Sequence, residues 1–214
     1  AYGIAYIIDG QHRVYGYSNS DHKNTHTIPV VAFQNMLSEE QLKIFMEINE
    51  NQKAVSKNLR LDLELDLFWT SPRLDSRMKA LRSSIIKALS GESGNILYNK
   101  ISIGEDQSIL SSVFFDKGLL HSGLIPKALQ TKWSGNTESC LYDVTETNID
   151  KAMIDSRKRI SQYLNSCYEI ADGHMQEDTK AVFLFSNRAT YPFVTLLGLL
   201  HAHLFACGEI NASL

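Results

Sequence analysis

The apolar positions of this chain change period several times, and each change marks a predicted element. Residues 2–8, Tyr-Gly-Ile-Ala-Tyr-Ile-Ile, are a near-continuous apolar run of the length of a buried strand. A polar turn, Asp9 to Arg13, interrupts it, and Val14-Tyr15-Gly16-Tyr17 reads as a short helix. After a polar loop over 18–27, Ile28-Pro29-Val30-Val31 reads as a second strand. Ser38 is a good N-cap, and Gln41 three residues later completes a capping box. Leu42, Phe45, Met46 and Ile48 then supply an apolar helical stripe. Residues 59–68 alternate Leu with charged residues, which favours a half-buried strand by period and a helix by composition. Leu74, Met78, Leu81, Ile85 and Leu89 keep helical spacing up to a stop at Gly91.

The second half reads as mostly helical. Residues 91–108 form a loop, 109–133 two helical pieces split near Gly123 and Pro126, and 134–147 an irregular stretch. A long helix is expected from Ile149 to Ala171, with Met153, Ile160, Tyr163, Leu164, Cys167 and Ile170 inward and Gly173 as its stop. The last element, 190–206, is apolar on nearly all sides. Its longest apolar stretch, Pro192 to Cys207, has about 16 residues against the roughly 20 of a membrane span, and His201 and His203 interrupt it. The expectation is a buried core helix and no membrane partner.

Composition adds bounds. The 214 residues are enough for one or two domains with a sizeable core, and 43% apolar content argues against extensive disorder. A net charge of −3 excludes a uniformly basic nucleic-acid coat but leaves room for local basic patches. Three cysteines without CxxC spacing, Cys140, Cys167 and Cys207, point to structural, partly buried thiols in a reducing, cytoplasmic setting and to no zinc site. His22 and His26 in the polar loop are too few for a metal centre. No signal peptide is evident, and a chain that opens directly on a strand is expected to be a piece of a longer protein.

The candidate chemistry sits at Asp9-Gly10-Gln11-His12-Arg13. A glycine at a strand-to-helix junction allows close backbone approach to a ligand. The free N–H groups that follow favour an anion. Arg13 offers a fork of donors for phosphate or carboxylate, and His12 titrates near neutrality. The competing reading is a plain Asp-Gly turn with Arg13 on a structural carboxylate. The chain has no Walker loop, no Gly-x-Gly-x-x-Gly, no Gly-x-Ser-x-Gly elbow and no His-Glu-x-x-His.

Two motifs carry a resemblance. Asp9-Gly10-Gln11-His12-Arg13 with Gly16 is similar to the signature of the DGQHR-domain proteins. The segment Phe45-Met46-Glu47-Ile48-Asn49-Glu50-Asn51-Gln52-Lys53-Ala54-Val55-Ser56 looks like that family's second motif. The chain thus resembles DndB-like proteins, regulators linked to phosphorothioate modification of DNA, within the ParB/sulfiredoxin superfamily. The likeness spans roughly residues 2–56 and beyond residue 60 is a general helical pattern. It implies an α/β fold: a partial ParB/sulfiredoxin-like strand–turn–helix unit over 1–58, truncated at its start, then a mainly α-helical region over 59–214. It also favours helix for 59–68.

The resemblance implies a DNA-associated regulator holding a nucleotide, ATP with Mg²⁺, at the turn. Gly10, Gln11, Arg13, Asn49, Gln52 and Lys53 would hold the phosphates or base, and Asp9, His12 and Arg13 would be the catalytic set of any hydrolysis. Implied partners are DNA, a nucleotide, other proteins of the modification system and a second copy of the chain. Sulfiredoxin-like chemistry needs a cysteine in the turn, where this chain has Gln11 and His12. The residues themselves add two basic clusters as candidate DNA contacts, Arg73, Arg77 and Arg82 in one helix and Arg157, Lys158 and Arg159 in another, each equally readable as a solvated face. Alternatives to the regulator are a nucleotide hydrolase, with or without DNA nicking, and a non-catalytic scaffold.

Overall fold

The computed structural model describes all residues except 1–6, 38–39, 42–43, 46, 49–64, 66, 104–107 and 211–214. It divides into two compact units, 1–55 and 56–214. The fold is mixed but mostly helical, with short strands.

In the first unit, α1 (Gln11–Ser18) starts on Gly10 and buries no residue. The segment Ile28–Val31 corrects the second-strand expectation: it is not in a strand and has no partner strand among the described residues, with Val30 and Val31 79% and 81% exposed. A β-branched run forms a strand only where a neighbour takes its backbone groups. The 2–8 strand lies mostly outside the described residues, and Ile7 and Ile8 are not in a strand. Glu40, Gln41, Ile44, Phe45, Glu47 and Ile48 are helical. The reach-back of this helix start runs from the Leu37 N–H to the Glu40 carboxylate at 3.1 Å. Gln41 donates to the Met36 carbonyl at 3.0 Å, and Ser38, the expected N-cap, lies outside the described residues.

The second unit is built on α2 (Leu74–Gly91), α3 (Ser112–Ser122), α4 (Ile149–His174), α5 (Glu177–Phe183) and α6 (Asn187–Ala206). Two two-residue pairings complete it: parallel β1 (Ile101–Ser102) with β2 (Leu110–Ser111), and antiparallel β3 (Lys127–Ala128) with β4 (Trp133–Ser134). The helical spacing of α2 is fulfilled, with Met78, Leu81, Ile85 and Leu89 at most 3% exposed. Leu65, Leu67 and Phe68 are helical, while the rest of 59–68 lies outside the described residues. The second helical piece expected within 109–133 is the β3–β4 hairpin. Gly123, at φ +78°, ends α3 and turns the chain toward it.

α4 starts where expected because the Asn148 side chain accepts from the Lys151 N–H at 3.1 Å. It runs through Gly173 to His174. Met153, Ile160 and Leu164 are fully buried, Tyr163 and Cys167 are half-buried, and Ile170 is 63% exposed, which corrects its inward assignment.

α6 crosses α3 at very short range. A Cβ on Gly198 would lie 2.0 Å from the Ser122 carbonyl oxygen, and one on Gly118 would lie 2.7 Å from the Val194 Cβ. Gly118 and Ser122, one turn apart on α3, and Gly198 on α6 make this approach sterically open. Asn187 ties the start of α6 to β2, its amide oxygen accepting from the Ser111 N–H at 2.7 Å. The expectation of a core helix is corrected on the other face: 28% of its apolar window is buried, and Leu196, Leu199 and Leu200 are exposed. By length and composition alone α6 is able to cross a bilayer.

Candidate functional site

The turn expected to carry chemistry is organised by its glycine. Gly10 adopts φ +89°, a left-handed conformation that glycine tolerates and other residues resist. It occupies the N-cap position of α1, so the helix begins without a capping side chain and without an acidic residue in its first turn. The Gly10 carbonyl accepts from the Val14 N–H at 3.1 Å. Gln11, His12 and Arg13 follow in the first turn, all exposed.

Arg13 lies over the glycine. A Cβ at Gly10 would sit 3.8 Å from the Arg13 Nε, an ordinary contact, so the cost of a larger residue here lies in the positive φ rather than in space. The Arg13 guanidinium is 71% exposed and approaches the Asp9 carboxylate at 3.6 Å, an i, i+4 contact across the turn. That is an ion pair without hydrogen-bond geometry, and exposed pairs of this kind contribute at most about 1 kcal/mol. Asp9, Gly10, Gln11, His12 and Arg13 are therefore brought to one surface, with helix-start N–H groups and a guanidinium side by side. Asn49, Gln52 and Lys53 lie outside the described residues.

The first basic cluster is spent inside the protein. Arg73 forks onto Asp75 at 3.1 and 2.7 Å, and this hydrogen bonding holds the Asp75 carboxyl below its ordinary range. Arg77 donates to the Ser71 carbonyl at 2.6 Å and to Asp150 at 2.6 Å, linking α2 to α4. Arg82 pairs with Asp116 at 2.6 Å, linking α2 to α3, with its side chain 10% exposed. These guanidinium groups each face an acceptor within the unit. In the second cluster Arg157 and Lys158 are exposed on α4. Arg159 is half-buried, with its Nε buried and unpartnered.

The cysteines hold no site. Cys140 is buried, Cys167 half-buried, and burial pushes both thiols up, away from the reactive thiolate. Cys207 is exposed, unlike the expectation for it, and its sulfur lies 3.7 Å from His203 Nε2. His22 and His26 stack at 4.4 Å, and no group of three metal-ligating side chains occurs among the described residues. His201 falls in the apolar run expected to be buried, and at this position it is. It is 2% exposed, both ring nitrogens lack a hydrogen-bond partner, and its ring meets Tyr163 edge-on at 5.5 Å. Desolvation lowers its pKa, opposed by the nearby Ser139 backbone.

Comparison with protein-family models, curated proteins and solved structures returned no match to this chain.

Proposed function

We propose that this chain is a DNA-associated regulatory protein of the DndB-like, DGQHR kind, serving a DNA-modification system, and that its Asp9–Arg13 turn is a phosphate contact. The ParB/sulfiredoxin-like identity of the first unit is part of the same proposal. One observation carries it: a left-handed Gly10 sits at the start of α1 with the 71% exposed Arg13 guanidinium reaching across it. Uncapped N–H groups and an arginine without a tight internal acceptor are what a phosphate oxygen needs. Asp9 would then orient water or share Mg²⁺ with the phosphates, and His12 would move a proton. The source of the phosphate is a nucleotide or the DNA backbone. Arg157 and Lys158 are the better DNA candidates among the basic residues, because Arg73, Arg77 and Arg82 are engaged internally.

The test is calorimetric titration of the full chain with ATP, CTP and GTP, with and without Mg²⁺, beside a salt series of duplex DNA binding, for wild type and Arg13→Ala. Nucleotide binding abolished in the variant, with salt-steep DNA binding retained in part, supports the proposal. Absence of both binding activities in the wild type overturns it.

A further inference from the structure

Between one face of α2, the end of α3 and the β3–β4 hairpin lies a cleft of about 390 Å³. It does not involve the Asp9–Arg13 turn. We propose that it is a binding site for a small single-tailed amphipathic anion, a carboxylate or phosphate head on a chain of about eight carbons, a body within the size range of ligand clefts of this volume.

The α2 wall comes from Asp75, Met78, Lys79 and Arg82, which the i, i+3, i+4, i+7 spacing sets on one helical face. Both ends of that wall are fixed. The Leu74 N–H donates to the Gln130 carbonyl at 2.9 Å, joining α2 to the hairpin, and Arg82 joins it to α3 through Asp116. The frame is thus assembled by the fold before any ligand arrives. Met78, Leu119, Ile125 and Pro126 give it a buried apolar lining, and Leu120 and Leu129, 42% and 52% exposed, stand at the more open part.

Charge selects the ligand. Asp75, the one carboxylate among the lining residues, is forked onto Arg73 and also feels Lys79, and Asp116 is bonded to Arg82. Lys79 and Lys127 also line the cleft, are exposed, and have no ion pair or side-chain hydrogen bond among the described residues. The Arg82 Nη2 likewise has no protein acceptor there, since Nε takes Asp116 and Nη1 the Met78 carbonyl. An apolar hollow rimmed by Lys79, Lys127 and the Arg82 Nη2, three cationic groups to one already-paired carboxylate, favours a molecule that pairs a negative head with an apolar tail.

The test uses the full chain with ¹³C-methyl methionine, the Met78 resonance being assigned by Met78→Leu. Octanoate and octyl phosphate are titrated separately, with acetate and 1-octanol as controls. The expected result is a saturable Met78 shift with at least one of the two anions, and a much weaker response to acetate and octanol. Lys79→Ala/Lys127→Ala, which removes two exposed side chains and leaves the fold intact, should weaken that binding at least about ten-fold, the scale of losing charge-assisted hydrogen bonds. The anion that binds more tightly identifies the head group. No Met78 shift with either anion overturns the proposal. Equal binding of octanol, or binding unchanged in the double variant, overturns it as well.

Discussion

Arg13 and Arg82 are the same residue type in two regions that use it in opposite ways. Arg13 is 71% exposed and meets its nearest carboxylate at 3.6 Å, whereas Arg82 is 10% exposed and bonded to Asp116 at 2.6 Å. One is a guanidinium whose removal leaves no orphan. The other is a clamp between helices whose removal strands a carboxylate at the edge of the core. The contrast extends to the surrounding elements: α1 buries nothing, while α2 buries eleven of its eighteen residues. The lesson is that a positive charge read from sequence acquires a role only through what faces it. In the first region no described residue meets Arg13 more closely than Asp9 does.

The comparison breaks most severely at the α3–α6 crossing. Gly198→Ala should destabilise the second unit by about 3 kcal/mol or more, because the new Cβ would overlap the Ser122 backbone rather than a flexible side-chain end. Urea denaturation followed by circular dichroism measures it, and an unchanged midpoint would refute the close approach. Next comes Arg82→Ala, with an expected loss of about 2–4 kcal/mol, somewhat below a fully buried pair since Asp116 is 20% exposed. Asp116→Asn should recover part of that loss in the double variant, and a double-mutant cycle reads the coupling.

A smaller effect is expected at His201. Its folded-state pKa lies below the ordinary value, so the unfolded chain takes up the proton first. The stability this residue contributes is therefore complete above the ordinary histidine pKa of about 6.5 and falls as pH drops below it, levelling off once the folded-state pKa is passed. His201→Phe should flatten that slope in thermal melts between neutral and mildly acidic pH; an identical slope in the variant would exclude His201 as its source. Smallest of all is Arg13→Ala, which should shift the unfolding midpoint by no more than about 0.5 kcal/mol. A large loss there would make Arg13 a structural clamp like Arg82 and erase the contrast.

How far the chain was legible follows the same division. The α2 and α4 helices were readable because their apolar residues recur at 3.6-residue spacing, and Met78, Leu81, Met153 and Ile160 are indeed buried. The β3–β4 hairpin was not, since strands of two residues are too short to display alternation. Ile28–Val31 has the composition of a strand but no partner strand among the described residues. The charged residues were the least legible. Arg77 finds Asp150 seventy-three positions away and Arg82 finds Asp116 thirty-four away, separations at which no local pattern operates. At the turn, Gly10 was readable as a turn glycine because Asp-Gly before a helix marks a sharp change of direction, and its positive φ fits a plain turn and a ligand contact alike.

The Gly118–Gly198 crossing also has a meaning in time. The residues that meet there, Gly118 with Val194 and Ser122 with Gly198, are 76 positions apart in the chain. At a synthesis rate of about 5–20 residues per second, α3 would wait roughly 4–15 s after leaving the ribosome before its mate emerges. During that interval its close-packing face is uncovered, with Phe115 and Leu119 beside the small residues that later accept α6. The nascent chain is thus most open to capture by a chaperone, or to mispairing, in the seconds before Gly198 appears.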